Sequence, residues 1–155
     1  MNNQQSAVGF GPHLLFHGFR CAGSRLDDLE LLYQTLEGLP DRIRMTKIMP
    51  PYVFRNVTSA GQVVGCSGFV LIAQSHISIH TFPRRGIVTA DIFSCESFDV
   101  EDALGSLKEV FLPERVEWHL LDRGREFPRD IAGSKVLVEQ ERRRVATALG
   151  LEAMR

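Results

Sequence analysis

No stretch of this sequence stays apolar for the roughly 18 residues that a membrane-crossing helix needs, so no membrane association is expected. The opening residues, MNNQQSAVGFGPH, have neither the basic start nor the apolar core of a signal peptide. Both absences point to the cytoplasm. An excess of one charge is missing too. Lys and Arg number 18 against 19 Asp and Glu, for a net charge of -1, which leaves no electrostatic footprint for nucleic acid. Cysteine is scarce: Cys21, Cys66 and Cys95 are an odd set with no CxxC pair. Without a secretion signal they read as free thiols, and a structural zinc site is not expected. Repeats, low-complexity segments and linkers are absent.

What is present is ordinary for a soluble globular chain, with 44% hydrophobic and 24% charged residues. A length of 155 residues suits a single domain over 1–155, with a loose polar tail over 1–11. Residues 13–19 (HLLFHGF) read as a strand. Ser24 and Asp27 form a capping-box pattern before apolar residues at helical spacing from Leu26 to Leu36, and Gly38 and Pro40 are expected to stop that helix. Short strands are expected over 44–49 and 52–57. An apolar run over 68–74, an alternating stretch over 75–82 and a return over 86–94 read as three more, the last two joined by a turn at 83–86. A second helix over 99–111, a strand over 115–121, a polar connection over 123–133 and a third helix over 137–149 complete the pattern. Clustered strands separated by helices predict an α+β, two-layer sandwich, a mostly antiparallel sheet with helices on one face.

The stretch AQSHISIHTFP, residues 73–83, raises the functional question. It alternates like a strand, yet its polar positions are Ser75, His76, Ser78 and His80. A metal site on the two histidines is improbable. Four residues of strand separate them by roughly 13 Å, too far for one ion. A serine hydrolase is also weak, because Gly65-Cys66-Ser67-Gly68-Phe69 ends in Phe where the G-x-S-x-G turn needs Gly. Taken singly, each of these serines and histidines is most simply a satisfied sheet residue.

Taken as a whole, Ser75-His76-Ile77-Ser78-Ile79-His80-Thr81-Phe82-Pro83 followed by Asp91-Ile92-Phe93-Ser94-Cys95 resembles the prokaryotic-type S-adenosylmethionine decarboxylases. Cys21 after the first strand and the Ser67-Gly68 approach to the central strand fit the same family, over roughly residues 12–127. The resemblance implies a proenzyme that cuts itself between Gln74 and Ser75 and converts Ser75 into a pyruvoyl group. The chemical need is clear: decarboxylating an amino acid calls for an electron sink, and no ordinary side chain offers a reactive carbonyl. By resemblance the Ser75 hydroxyl attacks the Gln74 carbonyl, Ser67 supports the developing oxyanion, and His80 removes the Ser75 Cα proton. Cys95 resembles the acid that reprotonates the product carbon, a role suited to a thiol whose pKa is moved towards neutrality. The two ends of a hairpin turning near Arg84 and Arg85 lie close together, so one site can hold Ser75 and Cys95. The family also implies an αββα homodimer and a place in spermidine synthesis.

Four positions depart from the family pattern. Gln74 replaces a glutamate, and Phe82 replaces a tryptophan that stacks on adenine, which phenylalanine can still do. Arg84 stands where a glutamate holds the ribose hydroxyls, and arginine can only donate hydrogen bonds. His17 stands at a first-strand position that is usually acidic. Phe82, Arg84 and His17 are therefore the expected substrate-binding residues. S-adenosylmethionine is the expected substrate, with arginine or ornithine as the alternative. A third reading is an unprocessed, non-catalytic homodimeric regulator. Retention of Ser67, Ser75, His80 and Cys95 together argues against it.

Overall fold

The sheet is built from a meander with two further strands added at one side. A computed structural model describes residues 11–73 and 75–123, with isolated helical positions at Gly133, Val136 and Gln140. The elements are β1 (Gly11–Phe19), α1 (Gly23–Leu26), α2 (Leu29–Arg42), β2 (Tyr52–Val57), β3 (Val63–Ile72), β4 (Ser75–Phe82), a 3₁₀ turn (Pro83–Arg85), β5 (Ile87–Ser94), α3 (Val100–Phe111) and β6 (Arg115–Arg123). The six strands lie in the order β2-β3-β4-β5-β1-β6. The β2–β3, β3–β4, β4–β5 and β1–β5 pairs are antiparallel. The expected α+β sandwich is what forms. Two compact units are distinguished, Pro12–Leu121 and a second made of Met1–Gly11 with Asp122–Arg155. The first holds the elements above, apart from the outermost residues of β1 and β6. Most of the expected tail, Gln74, the polar connection and the expected helix over 137–149 lie outside the described residues, save that Gln140 is helical. No helix among the described residues is long and apolar enough to cross a membrane.

The two-residue period of the strands decides which face the helices cover. Ile77, Ile79 and Thr81 of β4 are buried, whereas His80 and Phe82 between and after them are exposed. The buried set joins Leu14 and Phe16 of β1 and Val88 and Ile92 of β5 under Leu32, Leu36 and Leu39 of α2 and Leu104, Leu107 and Phe111 of α3. Each such side chain stabilises the fold by about 1.5–3 kcal/mol on leaving water. Exposed ion pairs such as Arg42–Glu109 contribute about 0–1 kcal/mol. The apolar face therefore sets the architecture. Gly68 lets α2 approach closely, since a Cβ there would sit 2.7 Å from Leu36 and 2.6 Å from Val53.

Local signals misplace three elements. The main helix starts at Leu29, capped by the Asp28 carboxylate accepting from the Leu31 N–H at 2.9 Å, and the Ser24 pattern leads only into the four-residue α1. Gly38 and Pro40 do not stop α2, which runs on to Arg42 with Pro40 inside it. Burial of Leu36, Leu39 and Pro40 outweighs the missing Pro40 N–H, and the Pro40 carbonyl still accepts from the Met45 N–H at 2.8 Å. The strand expected over 44–49 is reduced to a bridge between Lys47 and Ile72. Strand β3 starts at Val63, five residues before the expected apolar run.

Candidate active site

Register places the chemistry in rows across the sheet. Ser67 of β3 faces His80 of β4, His80 faces Thr89 of β5, and Thr89 faces His17 of β1. Ser67 Oγ lies 2.8 Å from His80 Nδ1, and Asn56 Nδ2 of β2 donates to the same oxygen at 2.7 Å. His17 is exposed in that row, two strands from His80, or roughly 10 Å away. The next row pairs Ser78 with Asp91 and Asp91 with Leu15. Here Ser78 donates to Asp91 Oδ2 at 3.4 Å, and His13 Nε2 lies 3.3 Å from Asp91 Oδ1.

A second group of reactive atoms gathers at the opposite end of β4. Ser75 opens that strand, and its Oγ lies 3.1 Å from His76 Nδ1. Its φ of 157° is at the edge of a region that non-glycine residues rarely enter. Ser75 pairs with Ser94 at the end of β5, and Cys95 is the next residue, so the hairpin does bring Ser75 and Cys95 together. Burial pushes the Cys95 thiol pKa up, and the neighbouring Glu96 carboxylate adds to the rise. That direction is opposite to the one anticipated for a thiol near neutrality. A thiol shifted in this direction keeps its proton at neutral pH. The buried Cys21 and Cys66 are free thiols raised mainly by burial, and both lie in the core.

Ser75 and His80 are thus on one strand but not in one place. Five residues separate them, roughly 16 Å along the strand at about 3.3 Å per residue. Ser67 and His80 form one cluster, Ser75 and Cys95 another. Beyond β4 the chain turns, and Val64, Phe82, Arg84 and Arg85 line a shallow pocket of about 280 Å³. Phe82 and Arg84 therefore share a cavity. Gly65, beside that pocket, cannot carry a side chain, because a Cβ would lie 1.9 Å from the Thr81 carbonyl oxygen. Sequence reading missed Asn56, His13 and Asp91. Only the polar residue in YVFRNV hinted at the first, and nothing local linked His13 to a carboxylate 78 positions later. Among the described residues no three His, Cys, Asp or Glu side chains are grouped to hold a metal ion.

The uncovered face of the sheet carries large apolar side chains alongside these groups. Tyr52, Phe54, Phe69 and Leu71 are 57%, 41%, 37% and 37% exposed. An α+β sheet whose uncovered side bears a bonded serine–histidine pair, with a hydroxyl and a protonated thiol where two of its strands meet, has the working groups of an acid–base enzyme. Comparison with known proteins narrows this class. Residues 12–124 match the family model described as S-adenosylmethionine decarboxylase. The S-adenosylmethionine decarboxylase proenzyme of Archaeoglobus fulgidus is 34% identical over 115 residues, 74% of this chain and 97% of that protein. The proenzyme of the same name from Thermoplasma acidophilum is 33% identical over 119 residues, covering 76% and 86%. The crystal structure of the adenosylmethionine decarboxylase from Aquifex aeolicus is similar at a TM-score of 0.64 and 29% identity, covering 76% of this chain and 93% of that one. The chain belongs to the S-adenosylmethionine decarboxylase family.

Proposed function

We propose that this chain is a proenzyme that cuts itself between Gln74 and Ser75 and then decarboxylates S-adenosylmethionine, supplying the aminopropyl donor for spermidine synthesis. The observation that carries the reading is the position of Ser75 at the head of β4, paired to the end of β5 beside the protonated Cys95 thiol. The residues present fit a pyruvoyl group at position 75. When formed, it supplies the carbonyl that serves as electron sink for decarboxylation. Its formation balances as follows. The Ser75 hydroxyl attacks the Gln74 carbonyl and converts the amide into an ester. Loss of the Ser75 Cα proton to a base expels the Gln74 carboxylate. One water then replaces the nitrogen of the dehydroalanine, releasing ammonia. In the decarboxylation, Cys95 delivers a proton to the product carbon.

The base is His80, and it comes from a second copy of the chain. Within one chain the roughly 16 Å of strand keeps it from the Ser75 Cα. The uncovered apolar face is the surface through which two copies pair, giving the αββα homodimer. A twofold axis between the two faces and perpendicular to the strands lays Ser75 of one copy against the Ser67–His80 end of the other. Phe82 and Arg84 bind substrate in the pocket at that end, and His17 lies in the same row as His80. A second reading, the same chemistry on arginine or ornithine, is favoured by one observation. The pocket's described lining contains no acid to accept from ribose hydroxyls, and those substrates carry no ribose.

The test is the intact mass of the purified 17.4 kDa chain under denaturing conditions. Two fragments are expected, the C-terminal one lighter by one ammonia than a fragment beginning with serine. Carbon dioxide release across the three substrates then ranks them. A chain that stays uncut on long incubation refutes the reading and favours a non-catalytic homodimer.

A further inference from the structure

We infer that Asn56 is a positioning residue that keeps the Ser67 hydroxyl proton on the His80 side of the site. This inference rests on the reading of Ser67 and His80 given above. Ser67 is 4% exposed, so its hydrogen bonds are settled within the protein. Its hydroxyl has one proton and two lone pairs. The Asn56 Nδ2 group occupies a lone pair at 2.7 Å and offers nowhere for that proton to go. The remaining partner is His80 Nδ1 at 2.8 Å. The Ser67 O–H therefore points to Nδ1, and the resting imidazole carries its proton on Nε2. A reacting carbonyl that reaches Ser67 takes over the proton held towards His80 Nδ1, from a hydroxyl polarised by the amide behind it.

The local backbone is shaped to this end. Asn56 sits half-buried at the last regular pair of β2, opposite Gly65, and the register shifts between Asn56 and Val57. The extra residue is Val64 on β3, since Val57 pairs with Val63. Gly65 presents no side chain in the space between, and Asn56 leans diagonally over it to Ser67, two residues further along β3.

Two substitutions test the inference. Asn56→Asp keeps the shape but replaces the donor with an acceptor. It draws the Ser67 proton to itself and forces His80 to donate from Nδ1. Expected are a swap of the His80 tautomer from Nε2–H to Nδ1–H in ¹⁵N NMR and a fall in the rate of cleavage before Ser75 of about tenfold to a hundredfold. Asn56→Ala removes the donor that fixes the Ser67 hydroxyl without adding an acceptor, so the His80 signals shift to a mixture of both tautomers and the rate falls about fivefold. Thermal unfolding of both variants reports whether they fold, and the alanine variant decides the matter if the aspartate variant does not. A folded Asn56→Asp protein with unchanged tautomer, or an Asn56→Ala protein cleaving at the wild-type rate, overturns the inference. The tautomer is readable on uncut chain. Failure of the wild type to cleave would thus sink the self-processing reading while leaving the role of Asn56 to be judged separately.

Discussion

Joining Ser75 of one copy to His80 of another has a numerical consequence. Express Ser75→Ala and His80→Ala chains together in equal amounts. Each homodimer is dead, the first for want of a nucleophile and the second for want of a base. About half of the dimers are mixed, and each mixed dimer has one intact pair, namely Ser75 of the His80→Ala chain with His80 of the Ser75→Ala chain. About a quarter of all chains are then cleaved, and every cleaved chain carries the His80→Ala substitution. Intact mass spectrometry reads both the fraction and the identity of the cut chains, because the two substitutions mark their fragments. The magnitude follows from the sheet: roughly 16 Å of strand lies between the two residues, far beyond the ~3 Å of proton transfer. No cleavage in the mixture, with each substituted chain folded, would refute the shared site. Cleavage of the His80→Ala chain when it is expressed without the Ser75→Ala chain would refute His80 as the base.

Other outcomes follow from the same geometry. Gly65→Ala puts a Cβ 1.9 Å from the Thr81 carbonyl and should destabilise by about 3 kcal/mol or more in urea unfolding, whereas Asp28→Ala, which loses only the α2 cap, should lose about 1 kcal/mol. Burial raises the Cys21 and Cys66 thiols in the folded state. Their contribution is therefore complete below the unfolded thiol pKa of about 8.5 and is lost as pH rises through the folded value. Unfolding free energies measured between pH 7 and about 10 should fall more steeply in the wild type than in a Cys21→Ala, Cys66→Ala protein; equal slopes would contradict this. Arg84→Glu restores an acceptor to the Phe82 pocket and should lower the KM for S-adenosylmethionine with little change in kcat.

Much of the fold was legible because strand period and chain chemistry agree. The alternation in residues 75–82 and the apolar run before it mark β3 and β4, and Asp99 ahead of Val100 marks α3, whose cap accepts from the Asp102 N–H at 3.0 Å. The ends of α2 were not legible. Pro40 and Gly38 are local stop signals overruled by burial against the sheet, and Ser24 is a local start signal that the chain uses for a single turn. The reduction of residues 44–49 to one bridge was equally hidden, since pairing with the end of β3 depends on where α2 ends.

The sequence by itself determined the candidate residues and the chemistry they imply. Residue types alone left each serine and histidine readable as an ordinary sheet residue, and it was the resemblance of the whole stretch to a family that implied a nucleophile, a base and an acid. The hairpin already placed Ser75 near Cys95, and tertiary structure decided that Ser67 and His80 form a separate cluster. Positions five apart on a strand look adjacent in print, yet extended backbone carries them to opposite ends of the sheet. Ser67, His80 and Asn56, far apart in the chain, meet because antiparallel register brings three strands into line. The rise in the Cys95 thiol pKa is likewise a property of its surroundings, because burial is its main cause and Glu96 only adds to it.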